Sequence, residues 1–306
     1  MGRFAVRRIA QGLLVIIGVS VTVFVVTRMI GDPVDILLPL EATAAERTRF
    51  EHQLGFDRPI YVQFGDFISH VARGDFGDSL WQHRPATEIV FEHLPRTFEL
   101  VIPAMVLMVL LAVPLGVIAA LRPGRLLDRF TVVLSLIGLS IPQFWLGLLL
   151  IIVFSVEFRL LPPLGLGGVD HLVLPVVTLA LPAVGRLAMI VRSSMIDELN
   201  QQYVRTARAK GLPYSRVVAV HALRNASVPA LTLSGWEFIR ALAGYSVIVE
   251  TVFNWPGIGF LAIQSIDRQD LILLQAIVFF VAVMVVVVNI GVDILYKVID
   301  PRIQMA

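Results

Sequence analysis

Six apolar stretches of about 20 residues or more constrain this chain more than any other feature. Each is long enough to cross, as a helix, a hydrocarbon layer roughly 30 Å thick. They run from Ile9 to Ile30, Leu100 to Leu121, Phe130 to Val156, Leu172 to Val191, Val228 to Val249 and Leu271 to Val292. The second, third and sixth carry no charge; Arg186 interrupts the fourth, and Glu237 and Arg240 interrupt the fifth. The pattern predicts an all-α polytopic membrane protein with six transmembrane helices. Composition agrees, with 16% charged residues against about 25% in an ordinary soluble domain. The first stretch follows Arg3, Arg7 and Arg8 and begins like a signal sequence. It is longer than a signal core, and no small-x-small site precedes Asp32, so it is expected to be retained.

Orientation follows from the basic residues of the connections. With the N-terminus inside, the inner segments hold Arg3, Arg7, Arg8, Arg122, Arg125, Arg129, Arg205, Arg208, Lys210, Arg216, Arg224, Lys297 and Arg302. The long connection 31–96, by contrast, is rich in acids. Both termini are therefore expected in the cytoplasm. The chain divides into a first helix with its cytoplasmic start (1–30), an outer loop (31–96), a five-helix core (97–296) and a cytoplasmic tail (297–306). A net charge of +2 points to no nucleic-acid partner. The chain has no cysteine, which excludes a disulfide framework, a thiolate metal site and a cysteine nucleophile. Its six histidines form no ligand cluster in the sequence, so no metal site is expected.

Two loops carry structure. In the outer one, Thr43 to Leu54 has helical spacing with Gly55 as a cap, and Pro59 opens a second helix. Ile60, Phe64, Phe67, Ile68 and Val71 make its apolar face, and Gly74 to Asp78 reads as a turn. The inner loop, about 197–227, reads Tyr203-Val204-Arg205-Thr206-Ala207-Arg208-Ala209-Lys210-Gly211-Leu212-Pro213. Its composition favours a helix up to Lys210, a left-handed cap at Gly211 and a new helix from Pro213. The small residues Ala207 and Ala209 let another protein surface approach closely, and the basic residues suit an acidic groove or anionic lipid head groups.

This segment, with His221-Ala222 and Arg224-Asn225-Ala226 downstream, resembles the cytoplasmic coupling (EAA) loop of bacterial ABC importer permeases. The form is that of the B-type permease of the dipeptide/oligopeptide/nickel family. Arg205 stands where the general motif has Glu, and the downstream Ile-x-Leu-Pro is missing, leaving Pro229 in a shifted context. The likeness extends in order through Leu54 to Pro59, Gly74 to Ser79, Ser140 to Trp145, Leu161 to Gly165, Glu250 to Gly259 and Asp300-Pro301-Arg302. It implies a type I importer permease fold that pairs with a second homologous permease. It also implies two ATPase subunits that bind ATP and magnesium, and an extracytoplasmic substrate-binding protein. The coupling residues would be Tyr203, Arg205, Thr206, Ala207, Arg208, Ala209, Lys210, Gly211, His221, Arg224 and Asn225. Cargo would be di- or oligopeptides, with a nickel chelate or other small solute as the alternative. The chain itself has no G-x-x-x-x-G-K-[ST] loop and no H-E-x-x-H or G-x-S-x-G motif, and is expected to bind no cofactor and catalyse nothing.

Charges at membrane depth are costly and face a bundle interior or a wet path. Glu237 and Arg240, three apart, share a helix face; they read as an internal ion pair or as lining of a translocation path. Gln143 and Asn289 are path candidates or helix–helix hydrogen-bonders. Arg186 and Arg192 are expected to snorkel, and Glu250 and Asp293 to be wetted at span ends. In the outer segment Asn254 to Asp270, the residues Asn254, Trp255, Pro256, Gly257, Asp267 and Asp270 read as a gate or a binding-protein contact, or as an ordinary surface loop. A stand-alone secondary transporter would accommodate the polar pair without an ATP site, but no clear internal repeat supports it.

Overall fold

The computed structural model describes residues 2–30, 43, 52 and 57–299. The expected helix from Thr43 to Leu54, its cap at Gly55 and the Asp300-Pro301-Arg302 motif fall outside them, apart from Thr43 and His52. The elements are helices: α1 Gly2–Ile30, α2 Ile60–Ala72, α3 Ala86–Leu121, α4 Leu126–Ser140, α5 Gln143–Leu150, α6 Val169–Leu199, α7 Gln202–Ala209, α8 Leu223–Arg240, α9 Ser246–Val252, α10 Ile258–Asp267 and α11 Leu271–Ile299. Among the described residues, four helices are long and apolar enough to cross a membrane: α1, α3, α6 and α11. A fifth span arises if α4 and α5, with the π-helical continuation Ile151–Glu157, are counted as one. The predicted fifth span is helical from Leu223 through Val252, but Arg224, Glu237 and Arg240 set it apart in composition.

The third predicted span departs from a straight helix. It bends by 103° between Leu126–Ser140 and Gln143–Glu157. Ile141 donates the last bond of α4, to the Ile137 carbonyl at 3.2 Å. Pro142 has no N–H and sits extended, with φ −59° and ψ 135°. Helix α6 instead continues unbroken through Pro175 and Pro182. Pro182 cannot bond the Thr178 carbonyl four residues earlier, and the Gln143 side-chain amide donates to that oxygen at 3.5 Å. A neighbouring side chain thus serves a backbone group that proline released.

The chain forms two compact units, Met1–Arg96 with Gly257–Ile290, and Thr97–Pro256 with Gly291–Ala306. In the first, Ile89 and Val90 pack with Ile258, Leu261, Leu273 and Ala276, and Phe24 of α1 meets Phe64 and Phe67 of α2. The turn Gly74 to Asp78 holds Asp75, whose Oδ1 accepts from the Gly77 N–H at 3.0 Å and whose Oδ2 meets His70 Nδ1 at 3.2 Å. These two bonds, the Gly77 one foremost, hold the carboxyl below its ordinary value of 3.8. A depressed native value stabilises the turn fully above pH 3.8 and loses that contribution as pH falls through the native value. A carbon-13 titration of the Asp75 carboxyl is expected to give a midpoint below 3.8, and His70→Ala should raise it.

In the second unit, Met108, Ala112, Leu187, Ala188, Val191, Met195, Ala222 and Ala226 make the core. Small residues let backbones close up, as helix pairs in lipid favour. A Cβ on Gly185 of α6 would lie 2.8 Å from the Ser135 carbonyl oxygen of α4. Outward residues such as Ile102, Val106 and Leu110 on α3 and Phe130 and Val133 on α4 are apolar and exposed, as helices that meet lipid require.

Candidate functional site

The inner connection is a pair of short helices with one buried edge. Helix α7 closes on Gly211, whose φ is +79°. The Gly211 N–H donates to the Arg208 carbonyl at 3.0 Å and the Leu212 N–H to Ala207 at 3.3 Å. This is the cap expected at that glycine, and it uses carbonyls that the helix end leaves free. Pro213 then opens the turn Tyr214–Arg216, which passes through a π-helical stretch, Val217–Ala222, into α8. Val204, Val217, Val218 and Ala222 turn inward. The opposite face exposes Arg205, Arg208, Lys210, Arg216 and Arg224, with Thr206 and Ala209 exposed among them and Ala207 and His221 half-buried. The Arg208 guanidinium lies over the Tyr214 ring at 5.5 Å, a cation–π contact across the Gly211 turn.

A polar clasp ties this pair to the long helices. The Tyr203 hydroxyl donates to Glu198 Oε2 at 2.6 Å. The Asn225 amide donates to the Tyr203 oxygen at 3.2 Å and to the same Glu198 oxygen at 3.3 Å. Burial, then the Glu198 carboxylate, pushes the Tyr203 phenol above its ordinary value of 10.0, so it stays a donor at neutral pH. The end of α6, the start of α7 and the start of α8 therefore meet at one carboxylate. Tyr203 and Asn225, two of the expected coupling-loop residues, thus make internal bonds that hold the loop to the long helices.

The charges at membrane depth pair most closely across helices, and the expected Glu237–Arg240 pair along one helix is the longer contact. Glu237 of α8, 1% exposed, accepts from Arg186 of α6 through both oxygens, Nε at 2.6 Å and Nη2 at 2.7 Å. Arg240 stands 3.9 Å away with its side chain 52% exposed. Arg186 is thus an interior partner, not a snorkelling residue. Arg192 likewise turns inward, to Asp128 of α4, whose Oδ2 also accepts from the Gly124 N–H at 2.7 Å. Glu250, expected to be wetted, is fully buried and accepts from the Thr97 hydroxyl at 2.7 Å; Asp293 is 7% exposed. Glu237, Asp128 and Glu250 each accept from a donor inside the protein, and burial is tolerable only because the partner is charged or hydrogen-bonding.

Beside Arg186 lies a cleft of about 170 Å³ between α4, α5, α6 and the π-helical turn Ala241–Tyr245. Ile141, Leu179 and Pro182 give it apolar walls, and Gln143, Arg186 and Tyr245 its polar groups. Gln143 therefore sits with the Glu237 cluster. Asn289 is exposed on α11.

The outer candidates divide. Asn254, with φ +50°, and Asp267 are exposed, and Pro256 is half-buried. Trp255, 2% exposed, and Gly257 are buried and offer no surface. Asp270 is fully buried too: its Oδ2 accepts from the Ser79 hydroxyl at 2.5 Å and the Trp81 N–H at 3.2 Å, and its Oδ1 caps α11 through the Leu273 N–H at 3.0 Å. It is a cap, not a contact for a delivery protein. Arg186, Tyr245 and the Asp128–Arg192 pair lay outside the candidates drawn from sequence. The only trace of the first was arithmetic: Arg186 on one span and Glu237 on another are opposite charges that lipid would penalise unless they met.

Comparison with known proteins agrees with this architecture. The family described as binding-protein-dependent transport system inner membrane component matches residues 112–305, and the family of its N-terminal part matches 1–102. The oligopeptide transport system permease protein AppB of Bacillus subtilis (strain 168) is 36% identical over 99% of this chain and 100% of its own length. The glutathione transport system permease protein GsiC of Escherichia coli (strain K12) is 38% identical over 99% of both chains. Among solved structures, an inward-facing form of the MetNI methionine ABC transporter superposes with a TM-score of 0.57 at 17% identity, covering 69% of this chain and 96% of that one. That likeness shows the fold alone. Matched by both family models from residue 1 to residue 305 with one short gap, the chain belongs to the inner membrane components of binding-protein-dependent transport systems, the permease subunits of ABC importers.

Proposed function

We propose that this chain forms half of the translocation path of an ATP-driven importer of di- or oligopeptides in a bacterial cytoplasmic membrane. It pairs with a second homologous permease and receives cargo from an extracytoplasmic binding protein. Two ATPase subunits below it bind ATP and magnesium. Relatives of the same length, named for oligopeptide and glutathione transport, support the cargo class. The observation that carries the coupling role is the inner helix pair: one edge buried in the core, five exposed cationic residues opposite, and Gly211 between the halves in a left-handed conformation. Such a surface seats in an acidic groove, and the Glu198–Tyr203–Asn225 clasp passes its displacement to α6 and α8.

Gly211→Val tests this. No neighbour lies within 4 Å of a Cβ there, so the strain comes from φ +79° alone, about 1–3 kcal/mol for a residue held in that region. The variant is expected to insert and to assemble, to retain ATP hydrolysis, and to lose uptake at least tenfold in proteoliposomes, the factor that about 1.4 kcal/mol corresponds to. Uptake at the wild-type rate would overturn the coupling role.

A further inference from the structure

We propose that the cleft beside Arg186 is a carboxylate subsite that receives the C-terminal end of a peptide on its way through the membrane. The inference rests on the peptide reading above. Its first ground is charge. Two guanidiniums, Arg186 and Arg240, face the single carboxylate of Glu237, leaving one positive charge in excess. The neighbouring Arg192–Asp128 pair is balanced within itself.

The second ground is hydrogen bonding. Arg186 meets Glu237 side-on through Nε and Nη2. Its Nη1 amino group has two further N–H donors, and no described residue accepts from it. Gln143 and Tyr245 bring a carboxamide and a phenol to the same cleft, and the Arg186 guanidinium lies 5.8 Å from the Tyr245 ring centre. A carboxylate is the group that accepts from an arginine fork most strongly.

The third ground is location. Arg186 and Glu237 lie near the middles of their helical stretches, Val169–Leu199 and Leu223–Val252. A guanidinium half-exposed at that depth, as Arg240 is, does not face hydrocarbon. It marks the wet side. Tyr245 reaches this side from a π-helical turn, an irregularity frequent at functional sites. Size sets the scale of the ligand. About 170 Å³ is close to the roughly 150 Å³ that holds one benzene, which is room for a terminal residue and not for a whole peptide. The apolar walls would take its side chain and the polar corner its carboxylate.

The test uses the whole transporter in proteoliposomes: this chain, its companion permease, the ATPase subunits and the delivery protein. The probe is a random tripeptide mixture with free C-termini, set against the same mixture amidated, with uptake read by mass spectrometry. The delivery protein's own preference, measured in isolation, is divided out. The wild type should favour the free acid by about tenfold, one charge-assisted bond's worth. Gln143→Glu sets a resident carboxylate against Arg186 and should bring the ratio to one or below; Arg240→Gln should reduce it. If Gln143→Glu fails to insert, Tyr245→Phe, which removes only a hydroxyl, should still lower the ratio. A wild-type ratio of one, or a ratio unmoved by the variants, overturns the subsite. An acidic side chain of the companion permease is the other source of a carboxylate. In that case Gln143→Glu would weaken co-purification of the two permeases and leave the ratio intact, which also overturns the proposal. A wild type that imports neither mixture overturns the peptide reading, and the subsite with it.

Discussion

Glu237→Ala is expected to destabilise the folded chain by about 3 kcal/mol or more, the usual cost of stranding one member of a buried ion pair. Glu237 is 1% exposed and takes both inward donors of Arg186. Without it, a guanidinium remains between α6 and α8 with its charge uncompensated. Arg240→Ala should cost far less, within about 1 kcal/mol, because Arg240 is half-exposed and 3.9 Å from the carboxylate. The double variant Arg186→Met, Glu237→Leu separates charge from packing. An apolar pair of similar volume is expected to recover most of the loss. Unfolding of the chain in bicelles by increasing SDS measures all three. A Glu237→Ala midpoint equal to that of the wild type would show that Arg186 finds water when its partner is gone.

Gly185→Ala should damage the packing of α4 against α6 in the second unit. The added Cβ would stand 2.8 Å from the Ser135 carbonyl oxygen, 3.2 Å from its Cα and 3.4 Å from its carbonyl carbon. All three are backbone atoms, so no rotamer relieves the overlap and α4 must move away from α6. Overpacking of this kind costs about 1–3 kcal/mol, against a gain of up to about 1 kcal/mol from replacing glycine in a helix. Gly138→Ala is the internal control. It lies on the other side of the same helix pair, where the Cβ would meet the Leu181 carbonyl at 3.5 Å, an ordinary contact. That variant should be neutral or slightly stabilising. Equal loss in both would mean that helix propensity plays no part here and that any added volume is refused.

Much of this fold was legible in the sequence because lipid imposes a simple rule on length and polarity. The helices over Ile9–Ile30, Leu100–Leu121 and Leu271–Val292 follow from it, while the Gly211 cap and the helix that opens after Pro59 follow from the backbone preferences of glycine and proline. Pro142 was visible, but its consequence was not. Pro175 and Pro182 leave α6 continuous while Pro142 ends a helix at a 103° bend; at Pro182 the Gln143 amide of a neighbouring helix serves the freed carbonyl. The site was less legible than the fold. Glu237 has a basic residue three positions away and another 51 positions away in sequence, and it chose the second. Local spacing ranks the first higher; only the rotation of two packed helices decides. Glu250 and Asp270 misled for the same reason. Glu250 read as wetted and Asp270 as a gate or binding-protein contact because nothing local announces that Thr97, or Ser79 and the Trp81 amide, will be brought to them.

The π-helical turn at Ala241–Tyr245 has an effect on direction. One residue inserted into a helix rotates everything beyond it by about 100° relative to the part before. The stretch from Leu223 to Val252 is thus a single rod with two azimuths. Its inner portion aims Glu237 at Arg186, and its outer portion aims Glu250 at Thr97. A regular helix of the same sequence could satisfy one of these carboxylates and would turn the other out of phase. The irregular turn is what allows one helix to keep faith with two neighbours.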